Sequence, residues 1–359
     1  MPSGAAVVPF VARSARRPRN VVLMIGDGMG LTQVTAAMYA NGNAIAFERM
    51  PVVGLHKSYS SDNLITDSAA GATAFACGRK TYNGAIGVLP DADTTACETI
   101  LEQAEARGMP TGLVATSTIV HATPAAFYAH VRSRRDYPEI ARQLAESGVD
   151  FFAGGGQEFF SRRDDGRDLL AEMHTGGRAV DSYFDTDPAD LLPDPRGNYA
   201  YLAADGDPLP YAGGRNYFPR ATSLALDYLS ARDTAERGFF LMVEGSQIDW
   251  GGHANDSEYI ISETREFADV VGQVLDFAAA DGETLVVVTA DHETGGYAIN
   301  SGSTMDNIDG QFTSDYHTAD LIPVFAAGPG AEAFAGIYEN TAIYDKLVAL
   351  TFGQGETTD

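Results

Sequence analysis

The chain has 359 residues, 45% hydrophobic and 20% charged, which is the composition of an ordinary globular protein able to bury a large core. Its 49 Asp and Glu against 24 Lys and Arg give a net charge of −25, which repels nucleic acid and anionic membranes at long range. No apolar run approaches the ~20 residues of a bilayer span, so neither a nucleic-acid-binding surface nor a membrane span is expected. An anionic substrate would need strong local positive charge. Lysine is confined to Lys57, Lys80 and Lys346, and so acidic, Lys-poor a surface suits a salty environment where self-repulsion is screened.

In chain order, residues 1–19 read as a flexible arm or the remnant of a trimmed export signal. Their Arg cluster follows the short apolar stretch, whereas a signal peptide has that order reversed. Strands are predicted at Val21–Ile25, Thr111–Ala115, Asp150–Ala153, Phe239–Val243, Leu285–Thr289 and Leu321–Ala326. Most are continuous apolar runs, as in strands buried on both faces of a parallel sheet. Helices are predicted between them, at Leu31–Ala40, Ala69–Cys77, Cys97–Arg107, Pro138–Ser147, Arg220–Ala235, Glu258–Ala280 and Asn340–Leu350. This alternation predicts an α/β fold with a doubly wound, mostly parallel sheet flanked by helices. One catalytic domain over 20–353 is expected. The Asp-, Gly- and Pro-rich stretch 161–220 and the polar stretch 297–316 read as surface insertions, and 354–359 as a tail. Cys77 falls in a helix-like run, so Cys77 and Cys97 are read as two buried thiols rather than a pair.

Polar residues gather just beyond the strand ends, where ligands bind in an open parallel sheet. Asp27 follows the first strand in GDGMG. Glu244, Asp249 and His253 follow the fourth in EGSQIDWGGH, and Asp291 and His292 follow the fifth in ADHETGG. His317, in HTAD, precedes its strand and needs a loop to reach the same edge. Each has a plain alternative as a turn residue, a cap or a solvated face. Together, however, three Asp, one Glu and three His are unfavourable to bury unless they bind cations. Imidazoles with carboxylates suit zinc, and an all-oxygen set suits magnesium. In TDSAAGATAFACG, Ser68 and Asp67 head a helix of small residues. They serve either as an N-cap or as a nucleophile held at a helix N-terminus.

The motifs GDGMG, TDSAAGATAFACG, HATPAAFYAHVRSR, VEGSQIDWGGH, TADHETGG and HTAD, running in this order from about Asn20 to Gly328, resemble the alkaline phosphatase family. The resemblance implies a phosphomonoesterase of alkaline pH that works through a phosphoserine on Ser68. It implies two zinc ions per chain, one on Asp249, His253 and His317 and one on Asp27, Asp291 and His292. It implies one magnesium on Asp27, Thr123 and Glu244, and Arg134 as the holder of phosphate oxygens. His121 and Trp250 stand where much-studied bacterial members carry Asp and Lys, a combination resembling other bacterial branches. An imidazole beside the third site lets zinc or cobalt compete with magnesium. The family also implies small phosphate monoesters and inorganic phosphate as partners, a homodimer, and a periplasmic or extracellular location. The short 297–316 stretch matches the family's crown insertion. The alternatives are a phosphodiesterase of the same superfamily and a non-catalytic metal- or phosphate-binding protein on the same scaffold.

Overall fold

The structure, a computed structural model, describes residues 17–305 and 307–353. Most of the expected arm, residues 1–16, and the expected tail, 354–359, therefore lie outside the described residues. The strands are β1 (Asn20–Gly26), β2 (Val52–Lys57), β3 (Thr111–Thr118), β4 (Phe151–Gly155), β5 (Ala179–Ser182), β6 (Tyr199–Leu202), β7 (Phe240–Gly245) and β8 (Thr284–Thr289). After them come the two-residue strands β9 (Glu293–Thr294), β10 (Ala298–Ile299), β11 (Gly310–Gln311) and β12 (His317–Thr318), then β13 (Ile322–Ala327) and β14 (Gly336–Glu339). Ten of them make one sheet in the order β14-β2-β13-β8-β1-β7-β3-β4-β6-β5. All neighbours in it are parallel except β13, which runs against both β8 and β2.

The continuous apolar runs are explained by the two cores they separate. Val22 and Met24 of β1 point into one cluster, with Phe267, Val271 and Val274 of the helix Ser257–Asp281. Val21, Leu23 and Ile25 point into the other, with Ala69, Ala72 and Phe75 of the helix Ser68–Cys77. Every residue of β1, β3, β4, β7 and β8 is buried. The predicted mostly parallel, helix-flanked architecture is the one observed.

The structure corrects the sequence reading in three places. Cys77 and Cys97 form a disulfide with their Cα atoms 5.9 Å apart, a normal span for such a bond. The helix ends at Cys77 because Gly78 turns left-handed at φ 66°, and the chain returns twenty residues later to lay Cys97 beside it. The next helix starts at Ile100 rather than Cys97, since Thr99 and Glu102 close a capping box there. The stretch 161–220 carries β5 and β6, which extend the sheet in parallel from β4. At four residues each, flanked by Asp, Gly and Pro, neither strand stands out in the sequence.

Candidate active site

Strand order and register decide what meets at the carboxyl edge. β1 lies between β8 and β7, with Ile25 level with Thr289 on one side and Glu244 on the other. Asp27 and Asp291, each two residues past that level, therefore sit side by side, with Glu244 one strand away. Glu244 is in turn level with Ala115 of β3, beyond whose end come His121 and Thr123. Asp249 and His253 share one face of the helix Gln247–His253. His317 joins them because β13 is antiparallel: the residues before it start at the edge where β8 ends. Pairing of β12 with β9 sets His317 opposite Thr294.

Gly28 is required at this crowded edge. It has φ +72°, and a Cβ there would come within 2.7 Å of the Asp249 Cα and of the Thr294 hydroxyl. Its amide donates to Asp291 Oδ1 at 3.2 Å. Gly71, in the first turn of the Ser68 helix, plays a related part. A Cβ on it would stand 2.9 Å from the Asp291 side chain, so glycine lets the helix close onto that carboxylate.

Three groups of side chains each bring their ligand atoms within 4.8 Å of one another: Asp249, His253 and His317; Asp27, Asp291 and His292; Asp27, His121 and Glu244. The first two sets are those the family resemblance implies for zinc. In the third, His121 stands with Asp27 and Glu244, whereas the sequence reading makes it only a neighbour. Thr123 is buried nearby with its hydroxyl unpartnered. Both oxygens of Asp27, Asp291 Oδ2, Glu244 Oε1 and His121 Nδ1 are likewise buried without a partner. Orphaned acceptors in such number fit a set of divalent cations, because leaving them unpaired is unfavourable.

The imidazoles are aimed by their second nitrogens. His253 Nδ1 donates to the Asp315 carbonyl at 2.7 Å and His317 Nδ1 to that of Thr66 at 2.8 Å. Their Nε2 atoms face each other at 3.1 Å, within 3.4 and 3.5 Å of Asp249 oxygens. Two nitrogen lone pairs and a carboxylate converging in this way make a cation cradle. His292 Nε2 is 3.3 Å from Asp291, 3.5 Å from Asp27 and 3.4 Å from the Ser68 hydroxyl.

Ser68 is the first residue of a fully buried ten-residue helix. Asp67 caps that helix by accepting from the Ala70 amide at 3.0 Å. Its other oxygen accepts from the Gly84 amide at 3.0 Å and from Arg134 Nη1 at 3.1 Å. Arg134 Nη2 lies 3.1 Å from His121 Nε2, and Trp250 meets the His121 ring edge-on with centroids 6.3 Å apart. Of the neighbouring arginines, Arg132 turns away to Thr94 and Arg135 is exposed.

Electrostatics point the same way. Burial, then the charges of Asp291 and Asp249, pushes the Asp27 carboxyl well above its ordinary range. Burial pushes Asp291 up to about 7 and Glu244 up to about 8. It also holds His292 well below its usual value and His121 down to about 3. His253 goes the other way, up to about 9, through its hydrogen bond to Asp249. These shifts mark a site that resists its own charges until cations balance them.

Thr294 has no place in the sequence reading. Its hydroxyl donates to Asp249 Oδ1 at 2.5 Å and accepts from His292 Nδ1 at 3.2 Å, tying the two zinc-type groups together. Glu293 also escapes notice there. It accepts from Gln33, Thr318 and the Tyr297 amide, which braces the β9–β12 pair under His317. The only signal for either is adjacency to His292 in the motif.

The alkaline phosphatase family model matches residues 18–309. The chain belongs to the alkaline phosphatase family. With that membership the expected enzyme class, a phosphatase, holds. Alkaline phosphatase 3 of Bacillus subtilis is 39% identical over 352 residues, covering 93% of this chain and 73% of that protein. Alkaline phosphatase 4 of the same species is 38% identical over 299 residues, 79% of this chain and 63% of that protein. Among solved structures, the alkaline phosphatase of the Antarctic bacterium TAB5 superposes with a TM-score of 0.88 at 44% identity, covering 94% of this chain and all of that one. A histidine-to-aspartate variant of that enzyme has magnesium bound in its M3 site.

Proposed function

We propose that this alkaline phosphatase hydrolyses phosphate monoesters through a phosphoserine on Ser68. One observation carries the reading: a buried serine hydroxyl at a helix N-terminus stands within reach of His292, among three converging groups of carboxylates and imidazoles, two of which hold buried carboxylate oxygens without a partner. Two zinc ions, on Asp249/His253/His317 and Asp27/Asp291/His292, and a magnesium, zinc or cobalt ion on Asp27, Glu244, Thr123 and His121, would acidify the serine hydroxyl and neutralise charge on the phosphoryl group and the departing oxygen. Ser68 Oγ attacks phosphorus, and the ester's P–O bond breaks on the far side, toward Asp249, His253 and His317. Arg134 donates two N–H groups to non-bridging oxygens. Asp67 keeps the guanidinium turned to that position. Water then attacks the phosphoserine from the vacated side, releasing inorganic phosphate and restoring Ser68. Two inversions give net retention at phosphorus. Ser68 must lose its proton, which suits alkaline pH.

The Cys77–Cys97 disulfide supports an oxidising, periplasmic or extracellular compartment. We also propose a homodimer, for which light scattering should return the mass of two chains. The decisive assay compares p-nitrophenyl phosphate with its bis ester and with the sulfate ester, before and after chelation. The monoester should be strongly preferred, and chelation should abolish its turnover. Metal analysis should return two zinc ions and one further divalent ion per chain. A preference for the bis ester would make the enzyme a phosphodiesterase. No turnover by the metal-loaded protein would make it a binding protein.

A further inference from the structure

One large side chain at the mouth of this site is unused by the chemistry above. Tyr316 is 47% exposed. Its ring lies flat against His317, centroids 4.4 Å apart and planes within 4°, and 5.9 Å from the His253 ring. His317 in turn stacks on His292 at 3.5 Å, so Tyr316 is the outermost of three stacked rings.

The backbone around it is held firmly while the side chain is not. The Tyr316 amide donates to Ser314 Oγ at 2.9 Å, its carbonyl accepts from the Gly295 amide at 3.0 Å, and the preceding carbonyl accepts from His253. Among the described residues no hydrogen-bond partner meets the phenol hydroxyl. A half-exposed aromatic on a fixed backbone, beside the group that faces the departing oxygen, is a platform in search of a flat partner.

We propose that Tyr316 is the specificity-determining residue for the alcohol portion of the substrate, and that it favours aromatic alcohols, whose ring stacks on its free face. This rests on the phosphomonoesterase reading, because only then does an alcohol leave on the His253 and His317 side. Stacking stabilises a ring that lies beside the breaking bond and leaves inorganic phosphate untouched.

The test measures kcat/KM for benzyl phosphate and for glycerol 2-phosphate with the metal-loaded enzyme and with Tyr316→Leu and Tyr316→Phe. The benzyl-to-glycerol ratio should fall about fivefold to tenfold in the leucine variant, which is roughly 1–1.4 kcal/mol, and stay within about twofold in the phenylalanine variant. The inhibition constant of inorganic phosphate should not follow that ratio. On the unaltered enzyme, phenylphosphonate should inhibit at least about fivefold more tightly than cyclohexylphosphonate. An unchanged benzyl-to-glycerol ratio in Tyr316→Leu would overturn the inference, as would equal losses on both esters or equal phosphonate constants. If the unaltered enzyme turns over neither ester, the phosphomonoesterase reading itself fails instead.

Discussion

Replacing Thr294 by valine keeps the volume of the side chain and removes only its hydroxyl. That hydroxyl joins Asp249 to His292, donating to the former at 2.5 Å and accepting from the latter at 3.2 Å. By accepting a hydrogen bond from Nδ1–H of His292, it leaves the Nε2 lone pair free to face Asp27, Asp291 and Ser68. Thr294→Val strands a carboxylate oxygen and an imidazole N–H, both on buried side chains. A hydrogen bond to a charged group contributes about 1.5–3 kcal/mol, equivalent to roughly 10- to 150-fold in an equilibrium constant. Partners of metal ligands commonly show losses of about 10–100-fold on removal. Zinc affinity, measured by competition with a chelator of known strength, should therefore weaken by about one to two powers of ten, and kcat/KM should fall with it. Thr294→Ser, which keeps the hydroxyl, should stay within about threefold. If the valine variant holds zinc as tightly as the unaltered protein, the idea that Thr294 sets the His292 tautomer is wrong.

Chelation should reveal the strain among the carboxylates. Burial pushes Asp291 up to about 7 and Glu244 up to about 8, so the ion-free folded protein keeps protons that the unfolded chain has released. This contribution is complete below pH ~4, near the unfolded pKa values, and is lost as pH rises through 7 to 8. Because the lowered His121 and His292 favour folding as pH rises up to ~6.5, the Tm of stripped protein should drop between pH ~6.5 and 9 while that of metal-loaded protein does not, and a rising Tm in that window would contradict the burial argument. Cys97→Ser should lower stability by about 3 kcal/mol in denaturant melts, since the disulfide closes a loop of about twenty residues at the end of the Ser68 helix. Molar NaCl should raise the Tm by screening the net charge of −25; a flat salt response would remove the expectation of salt tolerance. Arg134→Lys retains the charge but not the paired donors, so the inhibition constant of phosphate should weaken about tenfold or more, and an unchanged constant would take Arg134 out of phosphate binding.

Much of the fold was legible because its central strands are enclosed on both faces. Two cores demand unbroken apolar runs such as Val21–Ile25 and Leu285–Thr289, and such runs are visible without alignment. What escaped was carried by other signals. β2, VVGLHK, lies between β13 and the edge strand β14, and its mixed burial leaves no continuous pattern. β5 and β6 are too short to assert themselves. The disulfide depends on where a loop returns, which neither the helical run nor the number of cysteines can fix. Among site residues, those that hold cations advertise themselves as Asp and His beyond strand ends, whereas a hydroxyl such as that of Thr294 looks like any other threonine. In the sequence Tyr316 is one more residue of a polar loop, and only the fold lays its ring on His317.

His317 shows what the fold contributes that no motif can. Were β13 parallel to β8, the residues preceding it would begin at the amino edge, a strand's length from Asp249. Its reversal brings HTAD to the carboxyl edge, and the two-residue pairing of β12 with β9 fixes the ring there. A chain of net charge −25 has little long-range attraction to offer a phosphate ester, so any affinity must be built within a few ångströms. Three imidazoles, a capped helix N-terminus and one arginine tied to Asp67, gathered onto a single edge, would supply it under the proposed mechanism. In the central sheet, the strand that breaks the parallel pattern is the one that brings His317 to Asp249 and His253.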